Sequence, residues 1–277
     1  MTPEAAAATR RSLLSLVLLG LAVIAAGTWL DERAETHYEQ AFQRALVTFG
    51  LARALNGIIS VVQGTEVAVE PAGVGMTFAP GEIVDPVNDL IERFSWVMLA
   101  STTSLGIQNI LMDMSAWTGT RIIAAVAAIA ALVLLWLRPF EGQAARWALR
   151  LTLLAAFLRL AMPLVVLLNH GAYVLFMEAD FEASRAAVEQ TNEDLAALSE
   201  TDEQEPEGLL DRARGWLDDR AEELDLSNRL DLYQSRLADA TEHLLRLTAV
   251  FVAQTIVLPL LFLWAIAWSV RTLGRFG

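Results

Sequence analysis

The sequence predicts an all-α integral membrane protein with four transmembrane helices, a long acidic helical hairpin outside the membrane and a small β-hairpin. Of the 277 residues, 55% are hydrophobic and the mean hydropathy is +0.43, so the chain is more apolar than an ordinary soluble domain. Several uncharged runs reach the length of about 20 residues that spans a bilayer core. All acidic residues except Glu4 and Glu141 lie in two long polar stretches, 31–120 and 178–246, whereas the short flanks are basic.

The charge distribution excludes several classes of protein. The net charge is -13, and residues 178–246 alone contain twenty acids and seven arginines. Net acidity of both polar regions argues against nucleic acid as a partner, and against docking of these regions on an anionic lipid surface. The chain has no cysteine, which excludes a disulfide framework and thiol chemistry.

The first predicted span is 12–30, which follows a short cytoplasmic segment, 1–11, that contains Arg10 and Arg11. We interpret it as a membrane anchor. A cleaved signal peptide is the alternative, because the small residues Ala25-Ala26-Gly27 suit a cleavage site.

The first outer region is 31–116, and it begins with an amphipathic helix that continues the first span. Residue Gly64 ends this helix, and the alternating residues after it predict a β-hairpin over 65–79. The apolar residues of the helix recur every three or four positions, which places them on one helix face: Tyr38, Phe42, Ala45, Phe49, Ala52, Leu55, Ile59 and Val62.

An apolar helix is predicted over 86–113, with Asp85 as its N-cap and Pro86 at its first position. Its stretch 94–112 is uncharged and long enough to span a membrane, but it is rich in serine and threonine. Counting it as a span would place the arginines of 138–150 outside, against the positive-inside rule. We therefore predict that it lies outside the membrane, buried against neighbouring helices or another subunit. Partial insertion is the alternative.

The remaining spans follow from the other uncharged runs. Basic flanks place both termini and the turn 139–150 in the cytoplasm of a bacterium, with 31–116 and 178–246 on the outer side of its inner membrane. Proline interrupts two of these spans, at Pro163 and Pro259, and the C-terminal segment is 271–277. The predicted spans are 117–138, 151–177 and 247–270.

The acidic outer hairpin over 178–246 carries two heptad seams. Phe181, Val188 and Leu195 fall seven residues apart, as do Leu230, Leu237 and Leu244 further along the chain. This spacing is typical of paired helices in a coiled coil. The predicted tip is 199–208, and a helix break near 225–228 would leave a separate short helix that packs on a neighbour.

No pattern in the chain predicts catalysis. The three histidines lack companions at a metal-binding spacing, and neither a phosphate-binding glycine loop nor a glycine-flanked serine occurs. We therefore expect neither an enzyme, nor a cofactor, nor a metal site.

Arg159 is the most informative single residue, because it lies about 13 Å beyond Arg150 within a predicted span. A guanidinium at that depth costs a few kcal/mol unless it is paired or hydrated, and no acid lies within any predicted span. Three interpretations follow. It reaches the cytoplasmic headgroups, it lines an aqueous lumen, or it pairs with an acid from a partner chain.

The other candidate contacts with a pore, an ion or lipid are polar residues in apolar surroundings. Asn169 and His170 are either interfacial residues or part of a gate, and Gln254 is a candidate for a hydrogen bond between helices. The hydroxyls near 101–104 either permit close helix packing, which we favour, or line a wet passage. The candidates from this stretch are Ser101, Thr102, Ser104 and Gln108.

The predicted layout of four spans with long outer loops resembles the topology of large-pore channel families such as connexins, innexins and the calcium homeostasis modulators. The resemblance covers the layout only, because this chain has none of the loop cysteines of those families. The surplus apolar faces of the outer helices, the unpaired Arg159 and the polar segment 94–112 predict a homo-oligomeric channel or large pore for ions or small solutes in the lipid bilayer. The alternative is a non-enzymatic structural or accessory subunit that docks another protein of a cell-envelope complex.

Overall fold

The structure, a computed structural model, consists mainly of long helices. It describes residues 3–64, 67–69, 76–78, 81–137, 143–202, 235–236 and 238–276. The α-helices are α1 (Pro3–Ala26), α2 (Trp29–Gly64), α3 (Gly81–Ala116), α4 (Thr118–Leu137), α5 (Gln143–Phe176), α6 (Glu178–Asp202), α7 (238–252) and α8 (Leu258–Phe276). A π-helical turn, Ala253–Val257, joins α7 to α8.

Two short strands, β1 (Val67–Val69) and β2 (Met76–Phe78), pair in an antiparallel arrangement. Val67 lies opposite Phe78, and Val69 lies opposite Met76. Both strands fall inside the stretch 65–79 that was predicted as a β-hairpin. The other residues of that stretch lie outside the described residues.

The first span does not continue without interruption into the amphipathic helix, contrary to the prediction. Helix α1 ends at Ala26, helix α2 begins at Trp29, and the two axes differ by 55°. Asp31 and Glu32 lie in the first turn of α2, where negative charge interacts favourably with the positive end of the helix dipole. The predicted apolar face of α2 is confirmed, because Ala45, Leu55 and Ile59 are buried.

Three predicted helix boundaries are corrected. Helix α3 begins at Gly81, so Pro86 lies inside it, where proline removes one hydrogen bond near the helix start. Helix α5 begins at Gln143, inside the predicted turn 139–150. Helix α6 continues to Asp202, because no glycine or proline occurs in the predicted tip before Pro206. The rest of that tip and the predicted break near 225–228 lie outside the described residues.

The chain divides into two compact units, of which the first comprises Met1–Gln43, Thr102–Phe176 and Ala253–Gly277. Within it α1 packs on α4, α4 on α5, and α5 on α8. Ala25, Ala124 and Ala155 meet in one buried cluster, where their small side chains let three helices approach closely. The Thr152 hydroxyl strengthens the contact by donating to the Ala127 carbonyl over 3.0 Å.

The second unit comprises Arg44–Ser101 and Met177–Val252. Its helices α6 and α7 are antiparallel, since the Phe181 ring meets the Phe251 ring edge-on at 5.8 Å and Arg236 pairs with Asp194 at 3.2 Å. Phe181, Val188 and Leu195 are each only 1% exposed, as the heptad spacing predicts. Leu230 and Leu237 of the other predicted seam lie outside the residues that the structure describes.

Three of the described helical segments are long and apolar enough to cross a bilayer, and the bent pair α1–α2 makes a fourth if it counts as one span. The three are Thr118–Leu137, Trp147–Phe176 and Ala238–Thr272. Helix α3 is not among them. The protein is therefore a mostly helical protein with three or four candidate membrane spans.

Candidate functional site: polar side chains at two helix breaks

The break between α1 and α2 leaves backbone carbonyls without the N–H donors of a continuous helix. Helix α5 supplies donors from the side, through Arg159. Its Nε donates to the Ala25 carbonyl over 3.0 Å and its Nη2 to the Gly27 carbonyl over 2.9 Å. Arg159 therefore caps the end of α1, and it holds α5 against the point where the chain bends.

The same guanidinium forms a bidentate ion pair with Asp31. The two nitrogen–oxygen distances are 2.7 Å from Nη1 to Oδ1 and 2.6 Å from Nη2 to Oδ2. The Arg159 side chain is 0% exposed and that of Asp31 is 14% exposed. Parallel bonds of this type are among the strongest polar contacts in proteins.

None of the three interpretations of Arg159 that the sequence suggested included this partner. The guanidinium is buried and an acid of its own chain neutralises it. Asp31 is the first residue after the predicted span 12–30, so it was counted as part of the outer region. The break after Ala26 lets the first turn of α2 lie within reach of α5.

The second break is the π-helical turn Ala253–Val257, which lies just before Pro259. Proline has no N–H, so the carbonyl four residues earlier, that of Thr255, loses its α-helical donor. The carbonyl five residues earlier, that of Gln254, likewise loses the donor that π-helical pairing would use. Both residues are buried, so water cannot easily replace the missing donors.

Three polar side chains from neighbouring helices donate to these two oxygens. Ser104 Oγ and Gln108 Nε2 on α3 donate to the Thr255 carbonyl over 2.7 Å and 2.9 Å. Asn169 Nδ2 on α5 donates to the Gln254 carbonyl over 2.8 Å. Four of the residues predicted as candidates, Ser104, Gln108, Asn169 and Gln254, therefore meet at one point, with Gln254 contributing its backbone.

The candidate residues Ser101, Thr102 and His170 do not donate to these two carbonyl oxygens. Ser101 is fully buried on α3, and its hydroxyl has no hydrogen-bond partner among the described residues. Thr102 is half-buried on the same helix. The His170 ring of α5 stacks on the His37 ring of α2, with centroids 3.7 Å apart and planes inclined by 14°.

Stacked rings are a packing contact, and the described residues provide no wider constellation for metal binding. In the part of the chain that the structure describes, no group of three or more histidine, aspartate or glutamate side chains lies close enough to hold a metal ion. The polar groups at the two breaks are donors to backbone oxygens. Their arrangement holds bent helices together and presents no nucleophile next to a base.

The fold and these contacts define a helical, membrane-embedded protein whose broken helices are tied together by side chains. Comparisons with protein-family models, with curated proteins and with solved structures give no match to this chain.

We predict that Asp31→Asn lowers the free energy of unfolding by about 3–5 kcal/mol, because it leaves the buried Arg159 charge without a counter-ion. Adding Arg159→Met should recover part of that loss, since no buried charge then remains. Unfolding of the detergent-solubilised protein followed by circular dichroism measures both effects. The control is Asp89→Asn, which removes an exposed pair with Arg93 and should cost less than about 1 kcal/mol. Equal stability of the Asp31 and Asp89 variants would contradict the assignment.

We also predict a coupling between Pro259 and its neighbours. The double substitution Ser104→Ala/Gln108→Leu should cost about 1–3 kcal/mol, because it removes the two side-chain donors to the buried Thr255 carbonyl. In a Pro259→Ala background the cost should fall by at least half, since the restored N–H can bond that carbonyl. A double-mutant cycle on unfolding free energies measures the difference.

The control for that cycle is Ser95→Ala, whose hydroxyl bonds a carbonyl of its own helix and should show no coupling to position 259. An equal cost of the double substitution in both backgrounds would exclude proline as the origin of the polar cluster.

Proposed function

We propose that this chain is a non-enzymatic membrane protein of the bacterial inner membrane that works as one subunit of a larger assembly. The observation that carries the proposal is a second apolar stripe on α3. A helix with apolar stripes on two faces needs cover on both faces. The partner that we expect first is a second copy of this chain.

Helix α3 buries one stripe and exposes another. From Ile91 to Ser115 the buried stripe repeats every three or four residues: Ile91, Phe94, Met98, Ser101, Leu105, Gln108, Met112 and Ser115. The exposed apolar residues follow the same periodicity with one gap of eight residues between Leu99 and Ile107: Trp96, Leu99, Ile107, Ile110 and Met114, with Trp117 directly after the helix. From Trp96 to Met114 this exposed stripe extends for about 27 Å along the helix. Exposed apolar patches of this extent mark interaction surfaces.

Protein is a better cover for this stripe than lipid. Helix α3 does not belong to the described segments that are apolar enough to cross a bilayer. Its exposed Asp113 lies near Tyr38 and Glu39 of α2, and burial, followed by the two carboxylates, raises the pKa of Tyr38. Charged side chains at this position favour water around α3, and an uncovered apolar stripe in water would be costly.

The proposed orientation has four spans and both termini in the cytoplasm, with 31–116 and 178–246 outside. The ends of the first two spans support it. Trp136 near the end of α4 donates to Ser15 of α1 over 3.1 Å, which brings Arg11 to the end of α4 that the arginine-rich stretch 138–150 follows in the sequence. Arginine accumulates on the cytoplasmic side of inner-membrane proteins.

A channel or large pore formed by several copies is the second candidate. Two sequence features that suggested a pore have another role in the structure. Arg159 pairs with Asp31, and Ser104 and Gln108 donate to a backbone oxygen. One observation favours it: the buried Asn169 Oδ1 beside the π-helical turn has no hydrogen-bond partner among the described residues. Such turns are frequent at functional sites.

A photo-reactive amino acid at position 110 tests the assembly. Ile110 is 60% exposed on α3, and Val126, which is 58% exposed on α4 inside a predicted span, is the matched control. On irradiation of intact membranes, position 110 should give a protein adduct, at twice the mass of the chain if the partner is a second copy. Position 126 should give lipid adducts. Lipid adducts alone at position 110 would refute the interface.

Conductance across planar bilayers tests the pore. Asn169→Asp should shift the reversal potential towards cation selectivity if a lumen passes Asn169. Asn192→Asp is the matched control, because Asn192 is also buried, donates to a backbone carbonyl and has an Oδ1 without a partner among the described residues. Absence of conductance from the reconstituted protein, or equal shifts in both variants, would leave the pore without support.

A further inference from the structure

A groove between α5 and α8 combines an apolar floor with two arginines. Its volume is about 510 Å³. The floor consists of Leu153, Leu154 and Phe157 from α5 and of Ala267 and Val270 from α8. Arg150 and Arg271 complete the lining, and both belong to segments long and apolar enough to cross a bilayer.

The two arginines lie at the same end of two antiparallel helices. Arg150 comes near the start of the segment Trp147–Phe176, and Arg271 comes near the end of the segment Ala238–Thr272. Between Arg246 and Arg271 the chain has no charged residue, so Arg271 marks the point where the apolar segment ends. The groove therefore runs from the basic end of these helices into their apolar part.

Both guanidinium groups are available to an anion. The two side chains are exposed, and within the described part of the chain neither forms an ion pair. Arg150 lies over the Trp147 ring, 5.8 Å from its centroid, which orients the guanidinium without neutralising it. Two unpaired positive charges at the mouth of an apolar groove suit a ligand with a negative head and an apolar tail.

We propose that this groove binds one anionic phospholipid, with its phosphate between Arg150 and Arg271 and an acyl chain along Phe157 and Val270. Guanidinium groups match the oxygens of a phosphate, and basic pockets between membrane helices bind anionic headgroups. The position of the groove favours lipid over an acidic peptide, because its floor belongs to apolar segments that a bilayer would surround. Burial of an acyl chain on this floor adds the hydrophobic contribution.

Native mass spectrometry of the purified full-length protein in detergent tests the site. Phosphatidylglycerol and phosphatidylcholine with identical acyl chains are the two probes. We expect the protein to prefer phosphatidylglycerol, and Arg150→Gln/Arg271→Gln to weaken its binding about 30-fold, at roughly tenfold for each 1.4 kcal/mol and about 1 kcal/mol for each arginine. Binding of phosphatidylcholine should remain unchanged.

The matched control is Arg33→Gln/Arg53→Gln, which removes two exposed arginines of α2 that also lie over aromatic rings. It should leave the lipid preference intact. A wild-type protein without preference for phosphatidylglycerol would overturn the proposal, whether or not the variants fold. So would an unchanged preference in the Arg150/Arg271 variant.

A third variant separates a lipid from a free phosphate. Ala267→Trp fills the apolar part of the groove without changing its charge, and it should abolish the preference for phosphatidylglycerol. Glycerol phosphate, which carries the head without the chains, should compete only weakly with the lipid. If glycerol phosphate competes as well as the lipid and Ala267→Trp has no effect, the arginines form a phosphate site and the lipid assignment is wrong.

Discussion

A carbonyl oxygen that loses its helical N–H inside an apolar bundle needs another donor, and this requirement explains the position of the main buried polar contacts of the first unit. An unsatisfied carbonyl in such surroundings costs about 1–3 kcal/mol. The break after α1 exposes two oxygens, which Arg159 satisfies, and the turn before Pro259 exposes two more, which Asn169 and the pair Ser104 and Gln108 satisfy. These side chains donate the hydrogen bonds that the backbone of the neighbouring helices lacks.

The two breaks use different chemistry because they present different geometry. At the first break one side chain reaches two carbonyls and a carboxylate, which requires the several donors of a guanidinium. A buried positive charge then needs its counter-ion, so Asp31 is as necessary as Arg159. At the second break the two oxygens accept from separate helices, and neutral amide and hydroxyl groups serve without any counter-ion.

The sequence predicts the features of this fold that depend on periodicity, and it misses those that depend on which helices are neighbours. The buried positions of α2 and the seam through Phe181, Val188 and Leu195 follow from a spacing that any single helix reveals. The sequence does not reveal Asp31 as the partner of Arg159, because a span defined by uncharged residues ends before the first charge. The hydrogen bond from Gln108 to the Thr255 carbonyl can be predicted only when the order of the helices around the bundle is known. No local sequence pattern encodes that order. The proline within the last predicted span is the sequence signal that a backbone carbonyl four residues earlier needs another hydrogen-bond donor.

Helix α3 connects the interior of the protein with its proposed interface. Its inner stripe contains Gln108, which donates to the Thr255 carbonyl, and its exposed stripe contains Ile107 and Ile110 on either side of the same turn. A partner that shifts or rotates the part of α3 around Ile107 and Ile110 would also move Gln108, the donor that Pro259 makes necessary. If the exposed stripe is the interface, assembly and the geometry of the π-helical turn are therefore energetically linked. In a channel, such a link would let contact with a neighbouring subunit alter the π-helical turn. In a structural subunit, it would hold the interface and the turn in one fixed arrangement.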